Sequence, residues 1–142
     1  MIKLIKPYIS FEEVQSEFKE IFESGWFTKG KFVEEFREEI KSYTGANYAY
    51  LTTSATTALT MTLKALNIKV EDEVIVSDFS FPATANVVED IGAIPIFADV
   101  SLDTFNMLPN DLESKITSKT KAVIFVDALG SPCGIDEIKK IC

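Results

Sequence analysis

Four short apolar runs alternate with segments of helical pattern along most of this chain, and this alternation constrains the fold more than any other feature. The apolar runs cover residues 47–52, 73–77, 94–98 and 121–126. The helical segments lie near residues 55–67, 83–91, 109–116 and 134–142. Strands that alternate with helices form a mostly parallel sheet with helices on its faces. The sequence therefore predicts an α/β fold.

Three details refine this predicted sheet. Residues 73–76 and 121–126 are almost continuously apolar, which is typical of strands buried on both faces. Pro95 has no backbone N–H to donate, so we expect it at the start of a strand or on an edge strand. The final helix is followed by no strand that would close its βαβ unit, so the sequence predicts an incomplete domain.

Residues 1–45 have a different pattern, which predicts an N-terminal helical segment ahead of the βα units of residues 46–142. The first helix is expected over residues 10–24, where Ser10 and Glu13 have the spacing of a capping box, and it should end at Gly25. A second helix is expected from Lys31 to Tyr43, with Gly45 as its stop.

The segment TTSATTALTMTLKAL, residues 52–66, predicts a strand that runs through a hydroxylated turn into an amphipathic helix. Ser54, Ala55 and Thr56 fall at the start of that helix. Free backbone N–H groups, the positive end of the helix dipole and hydroxyl groups converge there, which suits a phosphate group. The alternative is an ordinary Ser or Thr helix cap with no ligand.

Composition excludes several classes of function. The chain has 14 Lys and Arg against 22 Asp and Glu, a formal charge of −8 that opposes binding to nucleic acid. No apolar run is long enough to span a membrane, and residues 1–10 lack the pattern of a signal peptide, so we expect no membrane association and a cytoplasmic location. The chain has no His and only two Cys, which argues against a metal site and against His-based nucleophilic catalysis.

Several segments, in order, carry a family resemblance. They are SGWFTKGKFVEEFREEIKSYTG (24–45), the turn at 52–66, EDEVIVSDFSFPATANVVEDIGAIPIFADV (71–100) and TSKTKAVIFVDALGSP (117–132). Together they resemble the N-terminal part of the DegT-type nucleotide-sugar aminotransferases. The resemblance implies the large domain of an aspartate-aminotransferase-like, fold type I enzyme. It also implies the cofactor pyridoxal 5'-phosphate (PLP), a nucleotide-linked keto-sugar, an amino donor such as glutamate, and a homodimer.

The resemblance also implies residues for the cofactor. Ala55 and Thr56 are expected to offer backbone N–H groups to the PLP phosphate, together with a hydroxyl of Ser54 or Thr56; the family usually has Gly at the position of Ala55. Phe81 matches the aromatic residue that stacks on the PLP ring, although it could also be a core phenylalanine. Thr84 and Asn86 are weaker candidates that could instead cap the helix beginning near Ala83.

Three further residues are implied near the substrate. Trp26 and Thr28 belong to a Gly-Trp-x-Thr-x-Gly loop that approaches the substrate in the family, although Trp26 could also lie in the core. Asp127 stands where the family often has His, and its carboxylate either substitutes functionally or accepts hydrogen bonds from loop amides; we favour the second. Asp99 and Asp103 match a family turn, where turn or capping roles are favoured over metal binding.

No catalytic residue is identified within the chain. The Schiff-base lysine of the family, and the carboxylate that pairs with the pyridine nitrogen, are both expected beyond residue 142. Two alternatives to an aminotransferase remain. The first is a PLP-dependent sugar dehydratase of the same family, in which the catalytic lysine is replaced. The second is a non-catalytic α/β module that binds a phosphorylated ligand. Residues 1–142 alone are expected to be inactive.

Overall fold

The computed structural model describes residues 8–142 of the chain. The chain divides into two compact units between Leu51 and Thr52. The first unit contains two helices, and the second contains the parallel sheet and its flanking helices. No helix within residues 8–142 combines the length and the apolar character needed to cross a membrane.

The N-terminal unit consists of α1 (Phe11–Ser24) and α2 (Lys31–Thr44). Both helices end at a left-handed glycine, as the sequence predicts. Gly25 has a φ of 70° and Gly45 a φ of 71°, and each N–H donates to a carbonyl of the last helical turn. The predicted capping box is wrong, because Ser10 makes no side-chain cap and its hydroxyl donates to the Glu12 carboxylate instead (2.8 Å).

The second unit alternates helices and strands in the predicted order. Its elements are α3 (Ala55–Ala65), β1 (Glu73–Ser77), α4 (Ala83–Asp90), β2 (Ile94–Ala98), α5 (Pro109–Lys115), β3 (Thr120–Ile124) and α6 (Ile135–Ile141). The three strands are parallel in the order β2-β1-β3. This arrangement confirms the α/β prediction of a parallel sheet with helices on its faces.

Two apolar clusters lie on opposite faces of the central strand. Val74 and Val76 point toward the face covered by α3 and α4, where Leu63 and Val87 are buried. Ile75 points to the other face, which α5 and α6 cover. Successive side chains of a strand alternate between faces, so a fully apolar β1 is buried on both. The sheet with its two helical layers fixes the loops at the strand ends.

The extent of the sheet confirms the prediction for Pro95 and corrects the predictions for β3 and for residues 47–51. Pro95 is paired with Val74 and lies on β2, an edge strand of the sheet within residues 8–142, where its missing N–H is tolerated. The strand β3 is only half-buried rather than buried on both faces, because it is the other edge of the sheet within residues 8–142. Residues 47–51 form no strand in the described chain, since a strand requires a hydrogen-bonded neighbour and these residues have none there.

Candidate functional site

The first turn of α3 has the properties expected of an anion site. Ser54 is its N-cap, with an extended backbone, and its Oγ accepts the N–H of Thr57 (3.1 Å). Ser54, Ala55 and Thr56 are all exposed. Within the described chain, the N–H groups of Ala55 and Thr56 have no acceptor, as expected for the first residues of a helix. Two backbone donors at the positive end of the helix dipole therefore face solvent.

These features are compatible with a bound phosphate group, and they are equally compatible with an ordinary helix cap that binds no ligand. The Ser54 Oγ lies 3.0 Å from the Thr57 hydroxyl, so two hydroxyl groups border the free N–H groups. Ala55 offers the same N–H donor as a glycine would, and its side chain is exposed rather than packed in the turn. The role of Ser54, Ala55 and Thr56 in cofactor binding stays a prediction.

The loop after β1 carries Phe81 to the surface. The Phe81 side chain is 77% exposed and belongs to neither apolar cluster, so the alternative interpretation as a core phenylalanine is wrong for residues 8–142. The Phe81 carbonyl accepts the N–H of Thr84 (2.9 Å), which fixes Phe81 beside the N-cap Pro82 of α4. An exposed ring on an anchored backbone can stack on a planar ligand.

Thr84 and Asn86 do not cap α4, so that alternative is wrong. Pro82 occupies the N-cap position and makes no side-chain cap. Thr84 is buried, and its hydroxyl lies 2.6 Å from that of Ser80. This hydrogen bond connects the loop after β1 to the first turn of α4. Asn86 is exposed beside Phe81 at the rim of a cavity of about 290 Å³. Asp78 also lines this cavity, so polar side chains and the Phe81 side chain border the same space.

The segment after β3 contains Asp127, and its carboxylate is exposed. Asp127 precedes a short 3-10 turn (Ala128–Gly130), and its side chain caps nothing there. Within residues 8–142 the carboxylate accepts no hydrogen bond from loop amides, so the structural interpretation favoured from the sequence is wrong. A functional role for Asp127 stays a prediction.

A residue that sequence analysis missed holds this segment instead. Asn106 is 2% exposed, and its amide forms three hydrogen bonds with the segment: Nδ2 to the carbonyls of Ser131 and Cys133 (2.7 Å each) and Oδ1 from the Ala128 N–H (2.9 Å). The signal was present in the sequence, since Asn106 is a polar residue within the apolar stretch FNML. Buried amides of this kind nearly always have hydrogen-bond partners.

Of the two aspartates after β2, Asp103 lies in a turn, as favoured from the sequence, and the carboxylate of Asp99 is engaged by its own local backbone. The Asp99 carboxylate accepts the N–H of Val100, and the Asp99 N–H donates to Asp111 (2.6 Å). Lys115 donates to the Asp111 carboxylate (2.6 Å), and this hydrogen bond is the main reason that the pKa of Asp111 lies below its ordinary value.

Across residues 8–142 no group of three or more His, Cys, Asp or Glu side chains is arranged to hold a metal ion.

Trp26 and Thr28 belong to the N-terminal unit, in the loop between α1 and α2. Trp26 is 66% exposed, so the alternative in which it lies in the core is wrong for residues 8–142. It borders a cavity of about 280 Å³ together with Lys31. A hydrogen bond to Glu20 raises the pKa of Lys31, and the Lys31 ammonium lies over the Phe32 ring, 5.2 Å from its centroid. The role of Trp26 and Thr28 toward substrate stays a prediction.

The second unit brings three of the predicted segments to one edge of the sheet. The loop with Phe81 follows β1, and the segment with Asp127 follows β3, so both leave the carboxyl ends of neighbouring parallel strands. The helix α3 leads into the start of β1 on the same face as α4, so its first turn, with Ser54, lies toward that carboxyl edge. Ligands of open α/β sheets bind at this edge.

Comparison with known proteins identifies relatives of this arrangement. Residues 9–142 match the profile of the DegT/DnrJ/EryC1/StrS aminotransferase family. The spore coat polysaccharide biosynthesis protein SpsC of Bacillus subtilis is 43% identical over 132 residues, which cover 93% of this chain and 34% of SpsC. Most of the chain therefore has a sequence counterpart in one relative.

Solved structures give the same result. The putative sugar aminotransferase Spr1654 of Streptococcus pneumoniae, in its PLP form, superposes with a TM-score of 0.92 at 34% identity, covering 99% of this chain and 36% of Spr1654. A GDP-4-keto-6-deoxy-D-mannose-3-dehydratase of E. coli with bound hydrated PLP gives a TM-score of 0.84 at 28% identity, covering 96% of this chain and 36% of the dehydratase.

These similarities span nearly the whole chain and about a third of the length of each relative. They confirm the predicted fold type I architecture, and they place PLP in related proteins whose structures are known. The resemblance inferred from the loop and strand motifs is likewise confirmed. The chain belongs to the DegT/DnrJ/EryC1/StrS aminotransferase family.

Proposed function

We propose that the protein transfers an amino group to a nucleotide-linked keto-sugar with PLP as its cofactor, in the biosynthesis of a surface polysaccharide or amino sugar. The observation that carries the proposal is the open first turn of α3, whose Ala55 and Thr56 N–H groups have no acceptor in the described chain. The similarity to the putative sugar aminotransferase Spr1654 supports the reaction, and the similarity to SpsC supports a place in polysaccharide biosynthesis.

The residues present fit PLP at two points. The N–H groups of Ala55 and Thr56, with the hydroxyl of Ser54 or Thr56, would hold the phosphate, because helix N-termini favour anions. The Phe81 ring would cover one face of the cofactor and exclude water from it. Bound PLP supplies the electron sink that amino transfer requires.

Substrate recognition is proposed for three other residues. Asp127 is suited to accept hydrogen bonds from sugar hydroxyls, because its carboxylate is exposed and engaged by no described group. Trp26 and Thr28 are proposed to contact the nucleotide-sugar from the loop between the N-terminal helices. An exposed indole suits a planar or sugar-ring contact, and a threonine hydroxyl suits a hydrogen bond.

We also propose a homodimer in the cytoplasm. The helices α1 and α2 contain no buried residue, and their exposed aromatic side chains include Phe11, Phe18, Phe22 and Phe36. Such apolar surface is typical of a protein interface, and self-association is the commonest solution. Both cysteines are exposed free thiols, which a reducing compartment maintains.

The decisive experiment incubates the full-length protein with PLP, glutamate and a panel of nucleotide keto-sugars, with products identified by mass spectrometry. An aminated sugar and 2-oxoglutarate in equal amounts are the expected result. A deoxygenated keto-sugar without a new amine would instead favour the dehydratase alternative, which the structural similarity to the E. coli enzyme supports. PLP binding with no conversion of any sugar would favour the non-catalytic phospholigand module.

A further inference from the structure

We propose that Asn106 is a positioning residue, which fixes the segment after β3 and thereby holds Asp127 at the carboxyl edge of the sheet. The functional meaning of that segment rests on the proposed function. The hydrogen bonds that carry the inference exist independently of any activity. Asn106 lies in the connection between β2 and α5, far along the chain from the segment that it holds.

Both polar atoms of the Asn106 side chain have hydrogen-bond partners of the complementary type. Both carbonyls that face it, those of Ser131 and Cys133, accept from Nδ2, and the one N–H that faces it, that of Ala128, donates to Oδ1. The Ala128 N–H is shared with the Val126 carbonyl (2.9 Å). With the amide reversed, two carbonyls would face Oδ1, so the partners fix the orientation.

The segment needs external support because its backbone is strained. Leu129 has a φ of 54° and Gly130 a φ of 81°, so two successive residues adopt the left-handed region. This conformation is unfavourable for leucine, and the exposed Leu129 side chain gains no burial in return. The Asn106 hydrogen bonds on either side of Leu129 and Gly130 are therefore what we expect to stabilise this turn.

Asn106 is itself anchored by the turn to which it belongs. Its carbonyl accepts the Ser101 N–H (3.0 Å), and its neighbour Met107 is buried and bridges to Val100. Phe105, on the other side, packs its ring against Phe79 with the centroids 5.0 Å apart. Phe79 belongs to the loop that leads to Phe81, so one turn contacts the loops of both predicted site residues.

The inference has a functional consequence. Without the Asn106 amide, the segment should sample other conformations, and Asp127 would lose its fixed position relative to the sheet. Because Asp127 is proposed to contact the sugar, the KM for the nucleotide-sugar should rise by about tenfold, in line with the loss of about one hydrogen bond to the sugar, while kcat changes less. In an Asp127→Asn background, Asn106→Ala should then raise KM little further.

The direct test measures amide hydrogen exchange at Ala128 in the full-length protein, with no substrate. In the wild type this N–H should exchange more slowly than exposed loop amides. In Asn106→Leu, which keeps the side-chain volume without hydrogen bonds, and in Asn106→Ala, it should exchange about tenfold faster. Asn110→Ala, which removes an exposed amide on the neighbouring helix α5, is the matched control and should change nothing at Ala128.

An Ala128 amide as protected in Asn106→Leu as in the wild type would overturn the inference, because volume alone would then hold the segment. If neither Asn106 variant folds, the exchange rate of the Ala128 amide in the wild type becomes the test. Rapid exchange there would show that Asn106 does not fix the segment. Absence of amino transfer by the wild type counts against the proposed function only, since the exchange experiment requires no turnover.

Discussion

Ser54 has one observed role and one proposed role, which substitution can separate. Its Oγ caps α3 through the Thr57 N–H, and its position beside the free N–H groups makes it a proposed phosphate contact. Aspartate is as good a helix cap as serine, but its charge repels a phosphate. We therefore expect Ser54→Asp to keep the stability of the wild type within about 0.5 kcal/mol and to weaken PLP binding by at least about tenfold.

Two companion variants complete this test. Ser54→Asn keeps a neutral cap and should bind PLP better than Ser54→Asp, whereas Ser54→Ala should lose about 1 kcal/mol of stability through loss of the cap. Urea unfolding measures stability, and absorbance titration measures PLP affinity. Equal PLP affinity in Ser54→Asp and the wild type would mean that Ser54 is only a cap.

Phe81 provides the second prediction at this scale. Because its ring is exposed in the described chain, the main loss in Phe81→Ala should be contact with the cofactor rather than core packing. We expect PLP binding to weaken by about 1 to 3 kcal/mol, with little change in the free energy of unfolding of the apoprotein. Phe81→Tyr, which keeps the ring, is the control. Unchanged PLP affinity and turnover in Phe81→Ala would refute stacking.

At the scale of elements, a pair of charged side chains on α5, Lys115 and Asp111, links this helix to the end of β2. Lys115 donates to the Phe97 carbonyl (2.7 Å) and to Asp111, which also accepts the Asp99 N–H. The ionised Asp111 is favoured in the folded state, so its folded pKa lies below the ordinary 3.8. Its contribution to stability is therefore complete above that value and is lost as pH falls through the lower, folded pKa.

This linkage predicts a pH-dependent effect of Asp111→Asn. The variant should be less stable than the wild type at pH 7, and the difference should shrink as the medium is acidified below the ordinary pKa of 3.8. Urea unfolding at a series of pH values measures it. Asp103→Asn, at a carboxylate with no ion pair in the described chain, is the control. A difference that stays constant at acidic pH would contradict the assignment to ionised Asp111.

The helices and strands were largely predictable because each has a local signal. Helix α2 has an amphipathic pattern and a stop at Gly45, and β1 has the apolar run of a doubly buried strand. The two predictions about strands that were wrong depend on contacts with residues distant in the sequence. Residues 47–51 have the composition of a strand but no hydrogen-bonding neighbour in the described chain, and β3 is half-buried because it lies at the sheet edge.

The placement of the candidate site residues in the fold was predictable in part. The exposed positions of Ser54 and Phe81 follow from their motifs at a helix start and after a strand end, whereas their roles toward a cofactor stay predictions. Asn106 was missed because its partners lie 22 to 27 residues away along the chain, and no local pattern indicates such contacts. The same hydrogen bonds explain why Asp127 was wrongly expected to satisfy the loop amides.

At the scale of the whole molecule, the sheet has an open apolar edge. Within the described residues β3 has no neighbour on its outer side, and Leu59, Leu66 and Phe125 border a groove beside it. Unpaired strands with apolar surroundings favour association with other chains. A polypeptide limited to residues 1–142 is therefore expected to aggregate more readily than the full-length protein, as measured by light scattering at equal concentration.

The same polypeptide is expected to lack aminotransferase activity, for a chemical reason. It spans about a third of the length of its relatives, and none of its lysines stands in a motif that resembles the catalytic lysine of the family. The Ala55 and Thr56 N–H groups should still bind the PLP phosphate weakly, because a helix N-terminus acts locally. The measurement compares residues 1–142 with the full-length protein, each incubated with PLP, glutamate and nucleotide keto-sugars. Turnover by residues 1–142 close to that of the full-length protein would show that the acid–base group lies within this sequence, and the lysines of the second unit would then be the first to test.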